Sequence, residues 1–552
     1  MNEGNQREQD QTRQKPEEFV ERRGSAKGNT AQAPTTGTQS PGAVSRGLIG
    51  VREAARRDKA LQFTALLHHL TPECLRGSFA RLKRNASPGV DGVRWEDYAP
   101  IAEKRVVDLH RSVQEGSYRA QPVKRARILK EDGSERLLGV SALEDKVVQG
   151  ALVEVLNAIY EVDFKGFSYG FRPGRSQHDA LDALWVGLTS QPVNWVLDMD
   201  IQGFFDHIQH DWLMRFLGHR IGDKRILRLI KKWLRVGAFD EGQWLDLAEG
   251  SPQGAAISPL LANIYLHYAF DLWADWWRRH HARGRVVIVR YADDTVMGFQ
   301  GRDDAEAFRT AVAQRLNRFG LTLHPKKTRL LEFGRYANIN RKQRGAGKPE
   351  TFDFLGMTHI CSCTRRGKYT IRRQTAAKRL RAKLQQVKRQ LRRRLHRPVP
   401  ETARWLCAVL QGYYNYHAVP YNLASLRAFW HHLSRAWFKA LRRRSQKARG
   451  LTWERFKRFR DAWLPLPRIL HPWPSERFRR RHPRQEPYAV IPHVRICAGG
   501  RRQRWSLPRY WGVPFVIIER QSMVPIFVPV PKEAWKKGPG PTLVLGSLGR
   551  YA

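Results

Sequence analysis

The stretch VVIVRYADDTVMGF, residues 286–299, constrains this chain more than any other, because two apolar runs meet at two adjacent aspartates. The runs predict two buried strands joined by a tight turn, since β-branched and apolar residues favour strands and Asp is common in turns. One aspartate suits such a turn, but the carboxylates of Asp293 and Asp294 repel each other unless a cation lies between them. Mg²⁺ is such a cation, because it prefers oxygen ligands and usually takes one or two carboxylates together with phosphates. The four residues YADD (291–294) alone leave a metal site and a plain hairpin turn equally open.

A second acidic stretch is NWVLDMDIQGFFDHI, residues 194–208. Residues 195–201 predict a strand, and Asp200 near its end is the best candidate for a further metal ligand. Nucleotide polymerisation needs two Mg²⁺ ions bridged by acidic side chains: one lowers the pKa of the primer 3′-hydroxyl, and the other neutralises the leaving pyrophosphate. The other acids, Asp198 and Asp206, are interpreted as solvated residues at the strand edge. The two acidic stretches are far apart in the chain, so only tertiary folding could bring them together.

The charge balance predicts a polyanionic partner. The chain has 98 Lys and Arg against 51 Asp and Glu, a net charge of +47, for which nucleic acid is the expected partner. A basic membrane-surface protein is the competing interpretation, but no apolar run approaches the roughly 20 residues that span a bilayer. We therefore expect no membrane partner. The five scattered cysteines form neither a disulfide framework nor a zinc spacing and favour a reducing cytosol.

Composition divides the chain into four parts. Residues 1–55, rich in Gln, Gly, Ser, Thr and Pro, predict a disordered leader. Residues 56–365 alternate strand-like and helical stretches and predict an α+β domain. Residues 366–475 predict a helical domain with a basic helix over 373–396, whose dense positive charge suits a phosphate backbone better than solvent alone. Residues 476–552 predict a basic, poorly ordered tail.

The order of short motifs resembles that of group II intron-encoded reverse transcriptases/maturases over about residues 70–360. The matching segments are NASPGVDG (85–92), YRAQPVKRARILKEDGSERLLGV (118–140), YEVDFKGFSYGFRPGRSQHDAL (160–181), DIQGFFDHI (200–208), GSPQGAAISPLLANIYL (250–266), YADD (291–294), LTLHPKKTRLLEFG (321–334) and FDFLGM (352–357). One YxDD motif is a weak signal, whereas eight blocks in the family's order are a strong one. In addition, GYYNYH (412–417) resembles the maturase domain that follows the polymerase in this family.

The resemblance implies a fold and an activity. The fold is α+β, a right-hand polymerase with fingers, an antiparallel-sheet palm that carries the acidic residues, and a helical thumb/maturase domain. The activity is RNA-directed DNA synthesis with two Mg²⁺ ions, combined with binding of the host intron RNA to assist splicing and with intron mobility by target-primed reverse transcription. The implied partners are the intron RNA, an RNA template with a DNA primer, deoxynucleoside triphosphates and a DNA target site, in the cytosol or nucleoid of a prokaryote.

The same resemblance assigns roles to particular residues. It implies that Asp200, Asp293 and Asp294 are catalytic and bind metal, with the backbone carbonyl of Ile201 as a further ligand. It also implies a nucleotide site. There Phe205 excludes a 2′-hydroxyl, the group that separates ribonucleotides from deoxyribonucleotides. The rest of this site comprises two cations that clamp the triphosphate and one residue that lines the pocket: Lys130, Arg136 and Gln253.

The RNA-binding surface is expected on the basic helix and on the aromatic motif that follows it. The predicted contacts are position 380, Lys383 and Lys388 for phosphates, and Tyr413, Tyr414 and Tyr416 for base stacking. Lys327 falls at a lysine position of the family, although a plain strand-edge lysine is nearly as good an interpretation. Two small departures, Gln202 for the usual Lys and Ala255-Ala256 for a pair containing Gly, remove no ligand.

Two alternatives remain open. The first is a reverse transcriptase of another prokaryotic system (diversity-generating, retron or CRISPR-associated), although such enzymes usually have no GYYNYH-type domain. The second is an RNA-binding splicing factor whose polymerase has decayed, but the intact aspartates and fingers cations argue against decay. We expect no HNH-type endonuclease, because the last cysteines are single and no His/Asn cluster with metal spacing follows residue 470.

Overall fold

The computed structural model describes residues 46–129, 135–240, 243–245, 250, 254–481, 515–518 and 526–529. The chain divides into two compact units, one up to Val494 and one from Arg495. The helices are α1 (Arg46–Arg57), α2 (Pro72–Ala80), α3 (Trp95–Tyr98), α4 (Ala102–Glu115), α5 (Leu143–Asp163), α6 (Gln177–Ser190), α7 (His210–Gly218), α8 (Lys224–Arg235), α9 (Ser258–Leu266), α10 (Leu272–His280), α11 (Arg302–Asn317), α12 (Ala337–Gln343), α13 (Ala377–Arg393), α14 (Val399–His417), α15 (Leu423–Arg442), α16 (Trp453–Trp463) and α17 (Pro474–Arg481).

Within the described residues, the strands form four separate sheets. They are β1 (Val123–Leu129), β2 (Glu135–Val140), β3 (Trp195–Met199), β4 (Ala238–Asp240), β5 (Gln243–Leu245), β6 (Val286–Tyr291), β7 (Asp294–Phe299), β8 (Arg329–Glu332), β9 (Phe352–Phe354), β10 (Met357–Cys363), β11 (Tyr369–Thr375), β12 (Phe515–Ile518) and β13 (Ile526–Pro529). The second unit contributes the antiparallel pair β12–β13.

The central sheet has the strand order β6-β7-β3-β8, and every pair in it is antiparallel. Both of its faces are buried. Leu197 and Met297 pack into one core with α5, while Val196 and Val296 pack into a second core with α6. A strand that is buried on both faces has a continuous apolar run instead of an alternating one. This explains why residues 286–289 are all apolar.

A second sheet, in the order β2-β1-β4-β5, lies earlier in the chain. β1 and β2 form an antiparallel hairpin, and β4 joins β1 in parallel. α5 contacts both α1 and α2, and its apolar side chains are buried along most of its length. The sheets and helices up to α11 therefore form a mixed α+β body.

The helices α13 to α16 enclose a core of their own. On α13 the apolar residues Leu384, Val387 and Leu391 face this core at helical spacing, whereas most of the Arg and Lys residues between them are exposed. The small sheet β11-β10-β9 precedes α13. It is joined to α6 by the Trp185 indole, which donates to the Ile371 carbonyl at 2.9 Å.

The α+β class and the antiparallel central sheet are confirmed, but three predicted boundaries differ. The leader predicted over 1–55 overlaps α1, because Leu48, Val51 and Ala55 lie on one helical face and are buried. The basic helix begins at Ala377 and not at 373, because residues 369–375 form β11. The predicted tail from 476 overlaps α17, which extends to Arg481; the leader up to residue 45 lies outside the described residues.

No helix in the described ranges combines the length and the apolar character needed to cross a bilayer.

Candidate active site

Strand register brings the two acidic stretches together. β3 and β7 pair with Met199 opposite Thr295, so the next step of the register sets Asp200, just after β3, opposite Asp294 at the start of β7. β6 and β7 form a hairpin in which Tyr291 pairs with Asp294. Ala292 and Asp293 are therefore the two residues of the turn. The pairing of β3 with β7 thus brings the two acidic stretches together through tertiary folding, as their separation in the chain required.

The turn has an unusual backbone. Ala292 has φ +57°, in the left-handed region that tight two-residue hairpins require and that Gly, Asn or Asp usually occupy. Ala292 is buried, whereas Asp293 and Asp294 are half-buried, so both carboxylates lie at the edge of the core. This placement combines a fixed backbone with access to solvent.

Asp200 is braced by the segment 321–328. The Lys327 ammonium lies 2.8 Å from the Asp200 carboxylate, and the backbone N–H of His324 donates to the Asp200 carbonyl at 2.8 Å. Lys327 therefore pairs with the first candidate metal ligand instead of standing alone at a strand edge.

The other two acids of this stretch behave differently. Burial raises the pKa of Asp198 to about 6, with a smaller raising effect from Asp200, although Arg329 lies 3.4 Å away and opposes the change. Asp206 is exposed on the 3₁₀ turn that follows β3. Solvation explains Asp206, but Asp198 is half-buried and paired, so the strand-edge interpretation is only partly right for it.

The predicted steric gate lies on that 3₁₀ turn, Phe204–His207. Phe204 is buried in the core, and the Phe205 ring is half-buried with its centroid 5.4 Å from that of Phe204. Gly250, which opens the GSPQG motif, has φ +90°, and a Cβ there would lie only 3.0 Å from the Asp206 carbonyl oxygen. The start of this motif therefore packs directly against the turn that carries Phe205.

Of the remaining predicted residues of the nucleotide and metal sites, some lie in the described part of the structure and others do not. Ile201 is buried and forms an isolated antiparallel bridge with Leu323. Arg136 lies on β2 opposite Ile128, and its side chain is outside the described part of the structure. Lys130 and Gln253 also lie outside the described residues.

Motif matching did not identify the residues that hold the turn Ala292–Asp293, hereafter the catalytic turn. The SYG segment of SYGFRPGRS packs on it: a Cβ at Gly170 would lie 2.3 Å from the Ala292 nitrogen. Arg290, fully buried in β6, donates to the Ala292 carbonyl at 2.9 Å. A signal for Arg290 was present, since a lone cation inside an apolar strand run needs a buried partner.

The predicted phosphate contacts on α13 differ in their exposure to solvent. Lys388 is exposed, whereas Lys383 is half-buried and donates to Gln386 at 2.9 Å. Position 380 is a leucine, and counting it among the cations was wrong: Leu380 packs partly buried against the helical core. The neighbouring Lys378, Arg379 and Arg381 are exposed cations around that turn.

The tyrosines of GYYNYH are engaged inside the protein. Tyr413 is buried and stacks on Phe429 with ring centroids 3.8 Å apart, and the buried Tyr414 donates to the Pro465 carbonyl at 3.1 Å. The half-buried Tyr416 donates to the Leu355 carbonyl at 2.6 Å. Base stacking needs an open ring face, so in this conformation Tyr413 and Tyr414 cannot act as the stacking platforms predicted from the sequence. The motif joins α14 to the strands before it.

Comparisons with known proteins agree with this site. Residues 128–359 match the family model described as reverse transcriptase (RNA-dependent DNA polymerase). Protein YkfC of Escherichia coli K12 is 34% identical over 291 residues, which cover 46% of this chain and 76% of that protein. The group II intron-encoded protein LtrA of Lactococcus lactis is 34% identical over 207 residues, 37% of this chain and 34% of LtrA.

A third relative is named as an intron protein. The putative COX1/OXI3 intron 1 protein of Saccharomyces cerevisiae is 28% identical over 262 residues, 39% of this chain and 31% of that protein. The chain thus spans about a third of the length of these two longer relatives. The range matched by the family model, residues 128–359, contains both acidic stretches described above. The chain belongs to the group II intron-encoded reverse transcriptase/maturase family, and its enzyme class is RNA-directed DNA polymerase.

Proposed function

We propose that this chain copies RNA into DNA with a two-metal site at Asp200, Asp293 and Asp294, and that it binds its host intron RNA to assist splicing. The observation that carries the proposal is the β3–β7 register, which sets Asp200 opposite Asp294 beside the turn of Asp293. In this proposal the central sheet is the palm, the β1–β2 hairpin belongs to the fingers, and the helices from α13 onward form the thumb/maturase domain.

The residues present fit two Mg²⁺ ions. Three carboxylates and the Ile201 carbonyl offer only oxygen donors, the ligands that Mg²⁺ prefers, and substrate phosphates complete such a site. Bound there, two Mg²⁺ ions would lower the pKa of the primer 3′-hydroxyl and neutralise the leaving pyrophosphate. The chain's own part is to hold the carboxylates on a rigid hairpin, and to supply the Lys327 ammonium beside Asp200 while no metal is bound.

The proposed nucleotide site lies beside the three aspartates. Phe205 stands on the turn just beyond Asp200, where its ring would lie under the sugar and exclude a 2′-hydroxyl. Lys130 and Arg136 would clamp the triphosphate, and Gln253 would line the pocket. Deoxynucleoside triphosphates, an RNA template and a DNA primer are thus the proposed substrates.

The maturase role is supported by charge and by kinship. The exposed cations of α13 lie on the face opposite its apolar stripe, which suits contact with the phosphates of the intron RNA. LtrA is named as a group II intron-encoded protein. Intron mobility through a DNA target site, and action in the cytosol or nucleoid of a prokaryote, complete the proposal.

Primer extension tests the metal assignment. Asp293→Ala should reduce Mg²⁺-dependent deoxynucleotide incorporation by more than about 100-fold, because even the outer partners of metal ligands are worth 10–100-fold. RNA affinity should stay nearly unchanged, because one carboxylate alters a net charge of +47 very little. Asp211→Asn, at an exposed aspartate on α7, is the matched control and should extend primers at the parental rate. Parental activity of Asp293→Ala would refute the assignment.

A further inference from the structure

The catalytic turn needs support from its surroundings. An L-residue in the left-handed region costs about 1 kcal/mol or more relative to an ordinary conformation. Ala292, with φ +57°, has no side-chain hydrogen bond of its own to offset this cost. Such a conformation persists only where neighbouring groups fix it. The position of Asp293, the next residue, depends on the same groups.

Arg290 supplies the main support. Its Nε and one Nη donate to the Asp271 carboxylate at 2.7 and 2.5 Å. That Nη also donates to the Ser168 hydroxyl at 2.7 Å, and the other Nη donates to the Asn263 side-chain oxygen at 3.1 Å and to the Ala292 carbonyl at 2.9 Å. These bonds employ all five N–H donors of the guanidinium. Arg290 and Asp271 are both 0% exposed, so water replaces none of them.

The partners of Arg290 come from two separate parts of the chain, one before β3 and one before β6. Asp271 ends the π-helical turn His267–Asp271, Asn263 lies on α9, and Ser168 belongs to the SYG segment. Asn263 also donates to the Gly170 carbonyl at 2.7 Å, which holds SYG against the turn. π-Helical turns occur frequently at functional sites.

We propose that Arg290 is a positioning residue of the polymerase: by holding the Ala292 carbonyl it fixes the backbone from which Asp293 and Asp294 project. The inference rests on the proposed function, since it assigns no metal ligand of its own. Lysine cannot make the same bonds, because its ammonium has three donors on a single nitrogen. It cannot reach the Ser168 hydroxyl, the Asn263 side chain and the Ala292 carbonyl while it also pairs with Asp271. Arg290→Lys keeps the charge and therefore tests the geometry.

Steady-state primer extension over a range of Mg²⁺ concentrations is the experiment. For Arg290→Lys we expect kcat to fall by roughly 10- to 100-fold, the effect of moving a reacting group by about 1 Å. KM for the deoxynucleotide should change little, while the Mg²⁺ concentration at half-maximal rate should rise. A loss of fold would instead lower the active fraction and leave that Mg²⁺ midpoint unchanged.

Arg220→Lys is the matched control. Arg220 is equally buried, pairs with Asp163 at 2.9 Å and donates to the carbonyls of Asp58, Leu61 and Ala55, none of which lies in the catalytic turn. Its replacement should lower stability but leave kcat per folded molecule and the Mg²⁺ midpoint at parental values. Ser168→Ala removes one of the five Arg290 bonds and covers the case in which Arg290→Lys does not fold. It should shift the Mg²⁺ midpoint in the same direction, by less.

The outcomes separate the two proposals. The positioning role would be overturned if folded Arg290→Lys had the parental kcat and Mg²⁺ midpoint while Asp293→Ala remained inactive. Where Arg290→Lys does not fold, the same parental values in Ser168→Ala would overturn it. Parental activity of Asp293→Ala would overturn the proposed metal site itself. A Mg²⁺ shift shared by Arg220→Lys would also overturn the positioning role, because it would reflect a general loss of stability.

Discussion

At the scale of single residues, the surroundings decide what an aspartate can do. Asp198, Asp200 and Asp206 stand within nine residues of one another in similar sequence. Yet Asp200 meets Lys327 at the strand end, Asp198 is half-buried beside Arg329, and Asp206 faces solvent. The motif match selected Asp200 among the three, and the register agrees with that choice. The environment of Asp198 was not visible in the sequence.

A prediction at this scale concerns Phe205. Phe205→Ala opens space beside the sugar and should raise incorporation of ribonucleotides relative to deoxyribonucleotides by about tenfold or more, because steric exclusion in a pocket is typically worth 10- to 200-fold. Competitive primer extension with both nucleotide types measures the ratio. Trp276→Ala, which removes an exposed aromatic ring on α10, serves as control and should keep the parental preference. An unchanged ratio in Phe205→Ala would mean that another residue senses the 2′ position.

At the scale of elements, a buried ion network joins α6 to later parts of the chain. Asp182 on α6 accepts from Arg373 on β11 at 2.8 Å and also pairs with Arg477 on α17. Asp182 and Arg373 are each 1% exposed. Burial lowers the pKa of Arg373, and Asp182 opposes that change. This one carboxylate therefore pairs with two guanidinium groups that other elements bring into the interior.

Removing that carboxylate should loosen the junction. Asp182→Asn leaves two buried cations without a counter-charge, which typically costs about 3–5 kcal/mol. We expect earlier chemical unfolding and faster hydrogen exchange in β11 and α17 than in the central sheet, measured by mass spectrometry. Asp108→Asn, on the exposed face of α4, is the control. Uniform exchange across the whole chain in Asp182→Asn would contradict a local junction.

At the scale of the whole molecule, net charge gives affinity, and its placement gives orientation. A surface of +47 attracts any polyanion, so RNA affinity alone cannot distinguish a specific face. α13 offers such a face, because its apolar stripe is fixed in the helical core and its cations must point outward. The buried tyrosines after it hold that helical domain together and do not offer ring faces to bases.

Salt dependence tests this face. Replacing Lys388, Arg389 and Arg392 with Gln should weaken intron RNA binding and reduce the slope of log affinity against log salt by about 0.7–0.9 per lost phosphate contact. The control removes the same charge from exposed positions on α4, with Gln at Lys104, Arg105 and Arg111. Filter binding from 50 to 500 mM salt measures both slopes. Equal slopes for the two triple variants would show that α13 makes no special contact.

The sequence predicted those features of this protein that have a local physical cause. Apolar runs predicted the strands of the central sheet, motif order gave the family, and charge gave the class of partner. Sequence patterns did not predict the exact ends of helices and strands, or the contacts of buried polar side chains. α1 begins at Arg46, inside the predicted leader, because a helix with one buried face needs few apolar residues. β11 replaces the start of the basic helix, and its buried cation Arg373 pairs with Asp182 on α6.

The sequence by itself determined which residues carry oxygen ligands, an aromatic gate and an excess of cations, because these are properties of side chains. Only the tertiary structure decided which of them meet. Strand register set Asp200 opposite Asp294, packing buried Tyr413 and Tyr414, and partners from α9, the π-helical turn and the SYG segment closed around Arg290. Contacts between segments far apart in the chain depend on the free energy of the whole fold, and no local pattern records them.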